Sequence, residues 1–293
     1  MSSSNTTVLI LGSEGQLGSE FKKINQNSIE LEFIFTDVDN LDIADLISLD
    51  SFFFNKKIDF IVNCAAYTNV DKAETETEKA NKINGFALKN LSDISIKYKI
   101  PIIHISTDYV FDGESEVPYT EEAKVNPTSV YGKSKLLGEN FIIDAYKHII
   151  IRTSWLYSSF GHNFVKTILK LGQEKEVLNV VSDQIGSPTY AKDLAEAIQE
   201  IVLLSSKDQN NFLSGIYHYS NEGKCSWYEF AAEIMKIANI SCELIPVSTA
   251  EYPTPAKRPK YSLLNKSKIK QTFSLEIPSW KESLNSAMIE ILD

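Results

Sequence analysis

The chain has 293 residues, of which 43% are hydrophobic and 23% charged, so it can bury a sizeable core without a disulfide or a structural metal. Its formal net charge of −10 argues against a general nucleic-acid binder and against binding to anionic membranes. The three cysteines are widely spaced and form no CxxC pair, and the polar N-terminal residues do not resemble a signal peptide. No apolar run is long enough to span a bilayer. We therefore expect a cytoplasmic protein with reduced thiols and with neither a membrane nor a nucleic acid as partner.

The first half of the chain alternates between short apolar segments and segments with helical periodicity. Strands are predicted at 8–11, 31–36, 58–64, 102–106 and 148–152, and helices at 15–24, 44–54, 77–98 and 129–146. Short apolar strands separated by amphipathic helices are typical of a parallel sheet covered on both faces. The prediction is an α/β fold with a doubly wound, Rossmann-type sheet, which binds its ligands at the carboxyl ends of the strands.

The second half of the chain is less regular. Its predicted elements are strands at 178–181 and 216–219, helices at 191–204 and 226–238 with Ser226 as an N-cap, and a proline-rich loop at 246–259. We expect a dinucleotide-binding domain at 1–150 and a smaller lobe at 151–293 that mainly binds substrate. Residues of about 175–205 are expected to return to the first domain.

Three glycines, Gly12, Gly15 and Gly18, follow the first strand and open the first helix. Their GxxGxxG spacing suits a tight turn, a close approach of the backbone to a pyrophosphate, and close packing of helix on strand. The helix N-terminus adds N–H donors and a partial positive charge. The spacing alone also fits an ordinary strand–helix turn, but Asp37 ends the second strand about 20 residues later, where an acid can bond the adenine-side ribose. Together these residues predict a dinucleotide site.

Asp37 also bears on which dinucleotide is bound. The 2′-phosphate of NADP would meet the negative charge of Asp37, and the nearby Asp39 adds to that repulsion. No arginine is near the glycine loop, and the only nearby cations are Lys22 and Lys23. From these residues alone we expect NAD, or the use of both dinucleotides.

A second motif lies at the start of the helix predicted at 129–146. Tyr131 and Lys135 are four residues apart and therefore share one face of that helix. An ammonium beside a phenol lowers the phenol's pKa from about 10, so that the tyrosine can exchange a proton with a carbonyl oxygen. The same spacing occurs on exposed helical faces, but Thr107, at the carboxyl end of a predicted strand, offers a second hydroxyl for that oxygen. The three residues favour a carbonyl reductase.

In these motifs, and in others spread over nearly the whole chain, the sequence resembles the extended short-chain dehydrogenase/reductases. Within them it is similar to the dTDP-4-dehydrorhamnose reductases. The matching segments, in the order of that family, are 12–18, 63–74, 106–113, 131–135, 138–139, 152–157, 183–189 and 258–259. The long segments are specific to this branch rather than to the superfamily.

The resemblance implies roles for individual residues. Thr107, Tyr131 and Lys135 correspond to the catalytic trio, with Tyr131 as proton donor. The residues implied to line the cofactor are Gly12, Gly15, Gln16, Leu17, Gly18, Asp37, Asp42, Ile43, Ala65, Ala66, Tyr67, Tyr131 and Lys135. Those implied to line the substrate sugar are Thr68, Val70, Thr107, Asp108, Tyr109 and Trp155. The family reduces the 4-keto group of dTDP-4-dehydro-L-rhamnose in dTDP-rhamnose and polysaccharide biosynthesis, usually with NADPH and often also with NADH.

Two positions depart from the family pattern. Ala44 stands where relatives often have a hydroxyl residue, so one contact to the adenosine is expected to be missing. Some relatives bind magnesium through glutamates at a dimer interface, and Glu20 and Glu290 occupy suitable positions here. Lys192, however, is at a position where a magnesium site would need an acidic ligand, and an ammonium cannot ligate magnesium. We expect no metal, and a homodimer stays an open alternative.

Other interpretations remain open from the sequence. The chain is either the reductase named above, a reductase of another nucleotide-linked 4-keto-6-deoxysugar, or a non-catalytic regulatory homologue. Intact Thr107, Tyr131 and Lys135 argue against the last. A dehydratase would have an acidic residue beside the hydroxyl at position 107, and Asp108 is in that position. The residues around it, however, match the reductase branch. His104, inside an apolar strand, is interpreted as a packed core residue rather than a base.

Overall fold

A parallel sheet of six strands lies at the centre of the structure, a computed structural model that describes residues 5–25 and 30–293. The strands are β1 (Thr6–Leu11), β2 (Leu31–Thr36), β3 (Phe60–Asn63), β4 (Ile102–Thr107), β5 (His148–Thr153), β6 (Leu156–Tyr157), β7 (Val177–Val181), β8 (Ile185–Gly186), β9 (Thr189–Tyr190), β10 (Gly215–His218), β11 (Cys225–Ser226) and β12 (Glu243–Val247). The central sheet has the order β10-β5-β4-β3-β1-β2, and all of its pairs are parallel. The prediction of a doubly wound α/β sheet is confirmed.

Helices cover both faces of this sheet. They are α1 (Gln16–Asn25), α2 (Leu46–Phe54), α3 (Val70–Ala73), α4 (Thr77–Asn81), α5 (Ala87–Tyr98), α6 (Val130–Ile142), α7 (Phe164–Glu174), α8 (Ala191–Lys207), α9 (Trp227–Ala238), α10 (Ser267–Phe273) and α11 (Trp280–Leu292). Successive residues of β1 are buried on opposite faces: Val8 and Ile10 pack with α1 and α8, whereas Leu9 and Leu11 pack with α2 and α5. This two-sided burial explains why the strands are apolar throughout rather than alternating.

One predicted helix, at 77–98, is not a regular α-helix in the structure. A π-helical turn at Lys82–Phe86 joins α4 to α5 and directs Asn84 into the interior. The Asn84 side chain accepts the N–H of Tyr67 at 2.8 Å and donates to the Tyr67 carbonyl at 3.0 Å. It also donates to the Ser134 hydroxyl at 3.0 Å. The distortion therefore fixes the segment after β3 against α6, and insertions of this kind are frequent at functional sites.

The second half of the chain builds a lobe of its own and also returns to the sheet. Helices α7, α9 and α11 bury a separate apolar cluster with β7. Ser226 caps α9 as predicted, because its hydroxyl accepts the N–H of Glu229 while the Glu229 carboxylate accepts the N–H of Ser226. Strand β10 pairs with β5 at the edge of the central sheet, and α8 packs with α1, whereas β7 pairs with β12. Helices α3, α7, α10 and α11 were not predicted from the sequence. Within the described ranges, every helix is too short or too polar to cross a bilayer.

Candidate active site

The carboxyl ends of the central strands bring the predicted site residues to one edge of the sheet. Leu11 at the end of β1 pairs with Thr36 and with Asn63, so the glycine loop, Asp37 and the segment after β3 are neighbours. The register continues through β4 to β5, where Thr107 pairs with Thr153. Because parallel strands end at the same edge of a sheet, the residues proposed to bind the cofactor lie next to those proposed for catalysis.

The glycine loop is tightly packed at both of its outer glycines. Gly12 has a φ of +75°, and a Cβ placed there would lie 2.6 Å from the backbone of Ala65. A Cβ at Gly18 would lie 2.4 Å from the Gly12 carbonyl oxygen. Only glycine fits these two positions, since the loop passes against the end of β3 and α1 packs directly on the loop.

Asp37 holds the glycine loop by its side chain. Its Oδ2 accepts the N–H of Glu14 at 2.8 Å, and its Oδ1 accepts the N–H of Val38 at 2.8 Å. The carboxylate therefore lies at the rim of the loop, next to the N-terminus of α1. The sequence predicted an acid near the cofactor and did not predict its contact with the loop.

These residues fit a dinucleotide. The first helical hydrogen bond of α1 runs from the Ser19 N–H to the Gly15 carbonyl at 2.9 Å, so the amides from Gln16 to Gly18 have no partner one turn earlier in the helix. Unpaired amides at a helix N-terminus, beside a loop that only glycine can form, are suited to a pyrophosphate. Leu17 is buried beneath them.

The other residues predicted for the cofactor lie after β2 and after β3. Asp42 accepts the N–H of Ala44 at 2.9 Å, and the carbonyl of the buried Ile43 accepts the Asn90 side chain at 3.1 Å. The remaining ones, Ala65, Ala66 and Tyr67, follow β3 and are half-buried. The Tyr67 hydroxyl donates to Glu76 at 3.1 Å.

Helix α6 carries Tyr131 and Lys135. It begins at the N-cap Ser129, whose hydroxyl accepts the N–H of Gly132 at 3.1 Å. The start of α6 lies against the turn after β4, because a Cβ at Gly132 would collide with the Tyr109 carbonyl. The rings of Tyr109 and Tyr131 meet edge to face with centroids 5.5 Å apart. Tyr131 is thereby placed beside the end of β4.

Lys135 lies one turn further along α6 and is 2% exposed. Its Nζ donates to the Ile105 carbonyl at 2.6 Å and lies 3.3 Å from His104 Nε2. Burial lowers the pKa of Lys135 to about 8, while the nearby Glu139 carboxylate raises it. The ammonium is therefore held against the backbone of β4.

The electrostatics of Tyr131 differ from those expected from the sequence. Burial raises the pKa of the phenol to about 12, a hydrogen-bond interaction with Thr107 lowers it, and the Asp108 carboxylate raises it. The Lys135 ammonium donates to the Ile105 carbonyl. The hydroxyl that lowers the pKa of Tyr131 is that of Thr107.

Sequence reasoning missed the residues that support Lys135. His104 is fully buried as expected, but it is also polar in its contacts, since its Nδ1 lies 3.0 Å from Asn63 Nδ2. Asn63 in turn accepts the N–H of Ala65 at 3.2 Å, so these contacts join the segment after β3 to the lysine. The signal was available, because a histidine in an otherwise apolar strand needs a polar partner.

A buried ion pair anchors the same helix to the sheet. Arg152 of β5 donates to Glu139 of α6 through Nε at 2.9 Å and through Nη2 at 2.7 Å. The Ser106 hydroxyl donates to the same carboxylate at 2.5 Å. Two parallel hydrogen bonds fix the distance and the rotation of α6 relative to β4 and β5.

The residues predicted to line the substrate are divided between the sheet edge and the second lobe. Asp108 is buried and accepts the Thr107 hydroxyl at 2.9 Å, whereas the exposed Thr68 and half-buried Val70 follow β3. Trp155 has a φ of +50° and stacks on Trp227 of α9, with ring centroids 3.5 Å apart. Trp227 was not predicted. A bulky residue with positive φ is held there by its packing, and such positions cluster at functional sites.

The glutamates considered for magnesium are held by other partners. Glu20 accepts the Ser158 hydroxyl at 2.7 Å, and burial raises the pKa of its carboxyl group. Glu290 pairs with Lys23 at 2.7 Å and with Lys192 at 3.9 Å. Among the residues that the structure describes, no group of three histidine, cysteine or acidic side chains is arranged to hold a metal ion.

Comparisons with known proteins agree with this geometry. The chain is 42% identical over 287 residues to the spore coat polysaccharide biosynthesis protein SpsK of Bacillus subtilis, which covers 97% of this chain and 98% of that protein. It is 40% identical over 279 residues to a dTDP-4-dehydrorhamnose reductase of Sinorhizobium fredii, covering 94% of each. A crystal structure of dTDP-4-dehydrorhamnose reductase from Bacillus anthracis in complex with NADP matches 98% of this chain and all of that one, with 39% identity and a TM-score of 0.91.

The family described as the RmlD substrate binding domain matches residues 6–292. With nearly full-length relatives at these identities, the chain belongs to the RmlD substrate binding domain family.

Proposed function

We propose that this protein reduces the 4-keto group of dTDP-4-dehydro-L-rhamnose to give dTDP-L-rhamnose, with NADPH as the preferred reductant and NADH also accepted. The observation that carries the proposal is the arrangement of Tyr131, Thr107 and Lys135 at the sheet edge, beside a glycine loop that fits a dinucleotide. Family membership and the reductases among its relatives support the substrate.

The chain's own residues handle the proton and the positioning. When bound, the reduced nicotinamide dinucleotide supplies a hydride. Tyr131 donates its phenolic proton to the carbonyl oxygen as negative charge develops there, and the Thr107 hydroxyl stabilises the phenolate that is left. Lys135 has three N–H donors, of which one goes to the Ile105 carbonyl and a second faces His104 Nε2 at 3.3 Å, so at least one remains for the bound dinucleotide.

The substrate and cofactor would be divided between the two parts of the chain. Residues 1–150 would bind the dinucleotide, while 151–293 would mainly bind the nucleotide sugar through Trp155, with Thr68, Val70, Asp108 and Tyr109 on the opposite side. The NADP bound to the Bacillus anthracis relative supports NADPH. The charge of Asp37 at the loop supports tolerance of NADH.

The location and assembly of the protein are also proposals. We infer a cytoplasmic enzyme, because its sugar nucleotide and its dinucleotide are both charged and water-soluble. A homodimer is proposed from the family resemblance and would be tested by light scattering on the purified protein.

The alternative is a reductase of another nucleotide-linked 4-keto-6-deoxysugar. The name of the relative SpsK refers to spore coat polysaccharide biosynthesis and specifies no sugar. The chemistry at Tyr131 would be unchanged, and the pocket around Trp155 would select the sugar. A non-catalytic homologue is disfavoured by the intact site.

The test is the loss of NADPH absorbance with enzymatically generated 4-keto-6-deoxysugar nucleotides that differ in configuration. We expect kcat/KM to be highest with dTDP-4-dehydro-L-rhamnose, and the product to match dTDP-L-rhamnose in chromatography and NMR. Faster turnover of another configuration would support the alternative. No oxidation of NADPH or NADH with any member of the panel would contradict the reductase function.

A further inference from the structure

A loop of the second lobe, at 158–163 between β6 and α7, lies against the start of α1. Residues 151–293 are proposed mainly to bind the sugar, yet this loop contacts Gln16 at the proposed dinucleotide site. We propose that Asn163, at the end of the loop, is a positioning residue for the dinucleotide. It orients the Gln16 side chain so that Gln16 Nε2 donates a hydrogen bond to the pyrophosphate. This role rests on the proposed function, because it requires a dinucleotide at the glycine loop.

Hydrogen bonds on both sides fix the orientation of the Asn163 amide. Asn163 is 7% exposed and is the N-cap of α7, where its Oδ1 accepts the N–H of Lys166 at 3.1 Å. Its Nδ2 donates to the Ser158 carbonyl at 2.7 Å and, at the longer distance of 3.4 Å, to the Phe160 carbonyl. If the amide turned over, its oxygen would face carbonyls and its nitrogen would face an N–H. The nitrogen therefore stays on the side of the loop.

The orientation of Asn163 determines that of Gln16. Nδ2 of Asn163 also donates to Oε1 of Gln16 at 3.0 Å, so Gln16 presents its oxygen to the loop. The Nε2 of Gln16, with its two N–H donors, is then left for another partner. Gln16 is the first residue of α1 and is half-buried, beside the backbone amides that are suited to a pyrophosphate. Its side chain therefore adds N–H donors to those of the backbone.

Further contacts hold the loop on α1. Ser158 Oγ donates at 2.7 Å to Glu20, which lies one turn beyond Gln16, and both Ser158 and Glu20 are fully buried. The same Oγ accepts the N–H of Phe160 at 2.9 Å. Gly161 has a φ of +63°, and a Cβ placed there would lie 3.2 Å from Gln16 Cγ. The loop is thus anchored on two successive turns of α1, which orders the Gln16 side chain before a ligand binds and lowers the entropy cost of binding.

Asn163→Ser separates the two tasks of this side chain. Serine caps a helix about as well as asparagine, so the variant keeps an oxygen for the Lys166 N–H. It loses the amide group that donates to Gln16. Capping of α7 is therefore retained while the orientation of Gln16 is no longer fixed.

The test is a double-mutant cycle in which the Kd of NADPH is measured by isothermal titration calorimetry without sugar. Gln16→Ala should raise Kd by roughly tenfold, as expected for the loss of one hydrogen bond to an anion. Asn163→Ser should raise Kd by about three- to tenfold, because the Gln16 side chain must then be ordered on binding. The double variant should bind within about twofold of the weaker single variant, because Asn163 acts through Gln16.

Two comparisons separate this role from a purely structural one. Asn285→Ser makes the same replacement at an exposed asparagine of α11, which donates to the Lys281 carbonyl, and should leave the Kd of NADPH unchanged. Adenosine 2′-phosphate has no pyrophosphate, so it should bind to Asn163→Ser as tightly as to the unmodified chain.

Three results would overturn the proposal. An unchanged Kd of NADPH in Asn163→Ser or in Gln16→Ala would show that their contact does not serve the dinucleotide. Losses that multiply in the double variant would show that the two side chains act independently. An equal loss of affinity for adenosine 2′-phosphate and for NADPH would place the effect in the fold of the whole site. Binding of NADPH without turnover of any sugar nucleotide would instead refute the reductase function alone, so the two failures are distinguishable.

Discussion

The Thr107 hydroxyl offsets part of the effect that burial has on the phenol of Tyr131. Burial makes the phenol of Tyr131 a weaker acid than tyrosine in water, and the Thr107 hydroxyl partly reverses that change. The phenol remains protonated at neutral pH, which is the state that a proton donor requires. The helical period predicted that Tyr131 and Lys135 share a face, but only the contacts with β4 determine which atom each side chain reaches.

Tyr131→Phe removes the donor while keeping the volume of the ring. We expect turnover to fall by roughly 10²–10⁴-fold, because general acid catalysis contributes about that much. The far-UV circular dichroism and the urea midpoint should be unchanged. Turnover near that of the unmodified chain would remove Tyr131 from the proposed mechanism.

Asp37→Asn tests whether the charge of Asp37 affects the choice between NADPH and NADH. The amide oxygen can still accept the Glu14 N–H, so the loop should keep its shape while the negative charge is lost. We expect the ratio of kcat/KM for NADPH to that for NADH to rise, since a 2′-phosphate no longer meets a carboxylate. Asp37→Ala also removes the contact with the loop, so it should in addition weaken the binding of both cofactors. An unchanged ratio in Asp37→Asn would mean that Asp37 does not face the adenosine ribose.

At the scale of elements, α6 is positioned by a buried pair that its sequence does not reveal. Glu139 lies one turn beyond Lys135, and its partner Arg152 comes from β5, so no local pattern connects them. The π-helical turn at Lys82–Phe86 has a similar origin, because Asn84 turns inward to bond Tyr67 and Ser134. Both features depend on partners distant in sequence, whereas helical periodicity reports only near neighbours.

Glu139→Gln should destabilise the fold and disturb the position of α6. Removing one partner of a buried pair leaves the Arg152 charge uncompensated, which costs about 3–5 kcal/mol in the free energy of unfolding measured with urea. The control is Asp93→Asn, which breaks an exposed pair with Lys89 within α5 and should cost less than about 0.5 kcal/mol. Equal losses of unfolding free energy in the two variants would show that the buried pair contributes no more to stability than the exposed pair.

At the scale of the whole molecule, the apolar strands and their spacing were sufficient to predict a parallel, doubly wound sheet. The strand order could not be predicted from the strand pattern. Strand β10 pairs with β5 at the sheet edge, although the chain between them builds much of the second lobe. Its partner is chosen by packing with β5 and with α10 rather than by a local signal. The stacking of Trp155 on Trp227 has the same cause, since it joins two distant parts of the second lobe.

The assembled molecule should not need a divalent cation for turnover. The proposed chemistry uses hydroxyls and an ammonium, and Lys192 and Lys23 occupy the surroundings of Glu290. After exhaustive treatment with EDTA, we expect the initial rate and the mass measured by light scattering to be unchanged. Loss of activity that magnesium restores would contradict this prediction and would require a metal site.

In the proposed mechanism, a hydride reaches the carbon of the 4-keto group while Tyr131 protonates its oxygen. The most direct measurement is NMR of the product formed with NADPH that carries deuterium in its transferable position. The mechanism predicts one deuterium at C4 of a dTDP-L-rhamnose product, and almost none when Tyr131→Phe replaces the unmodified chain for the same time. Deuterium at another carbon, or a product without deuterium, would contradict it.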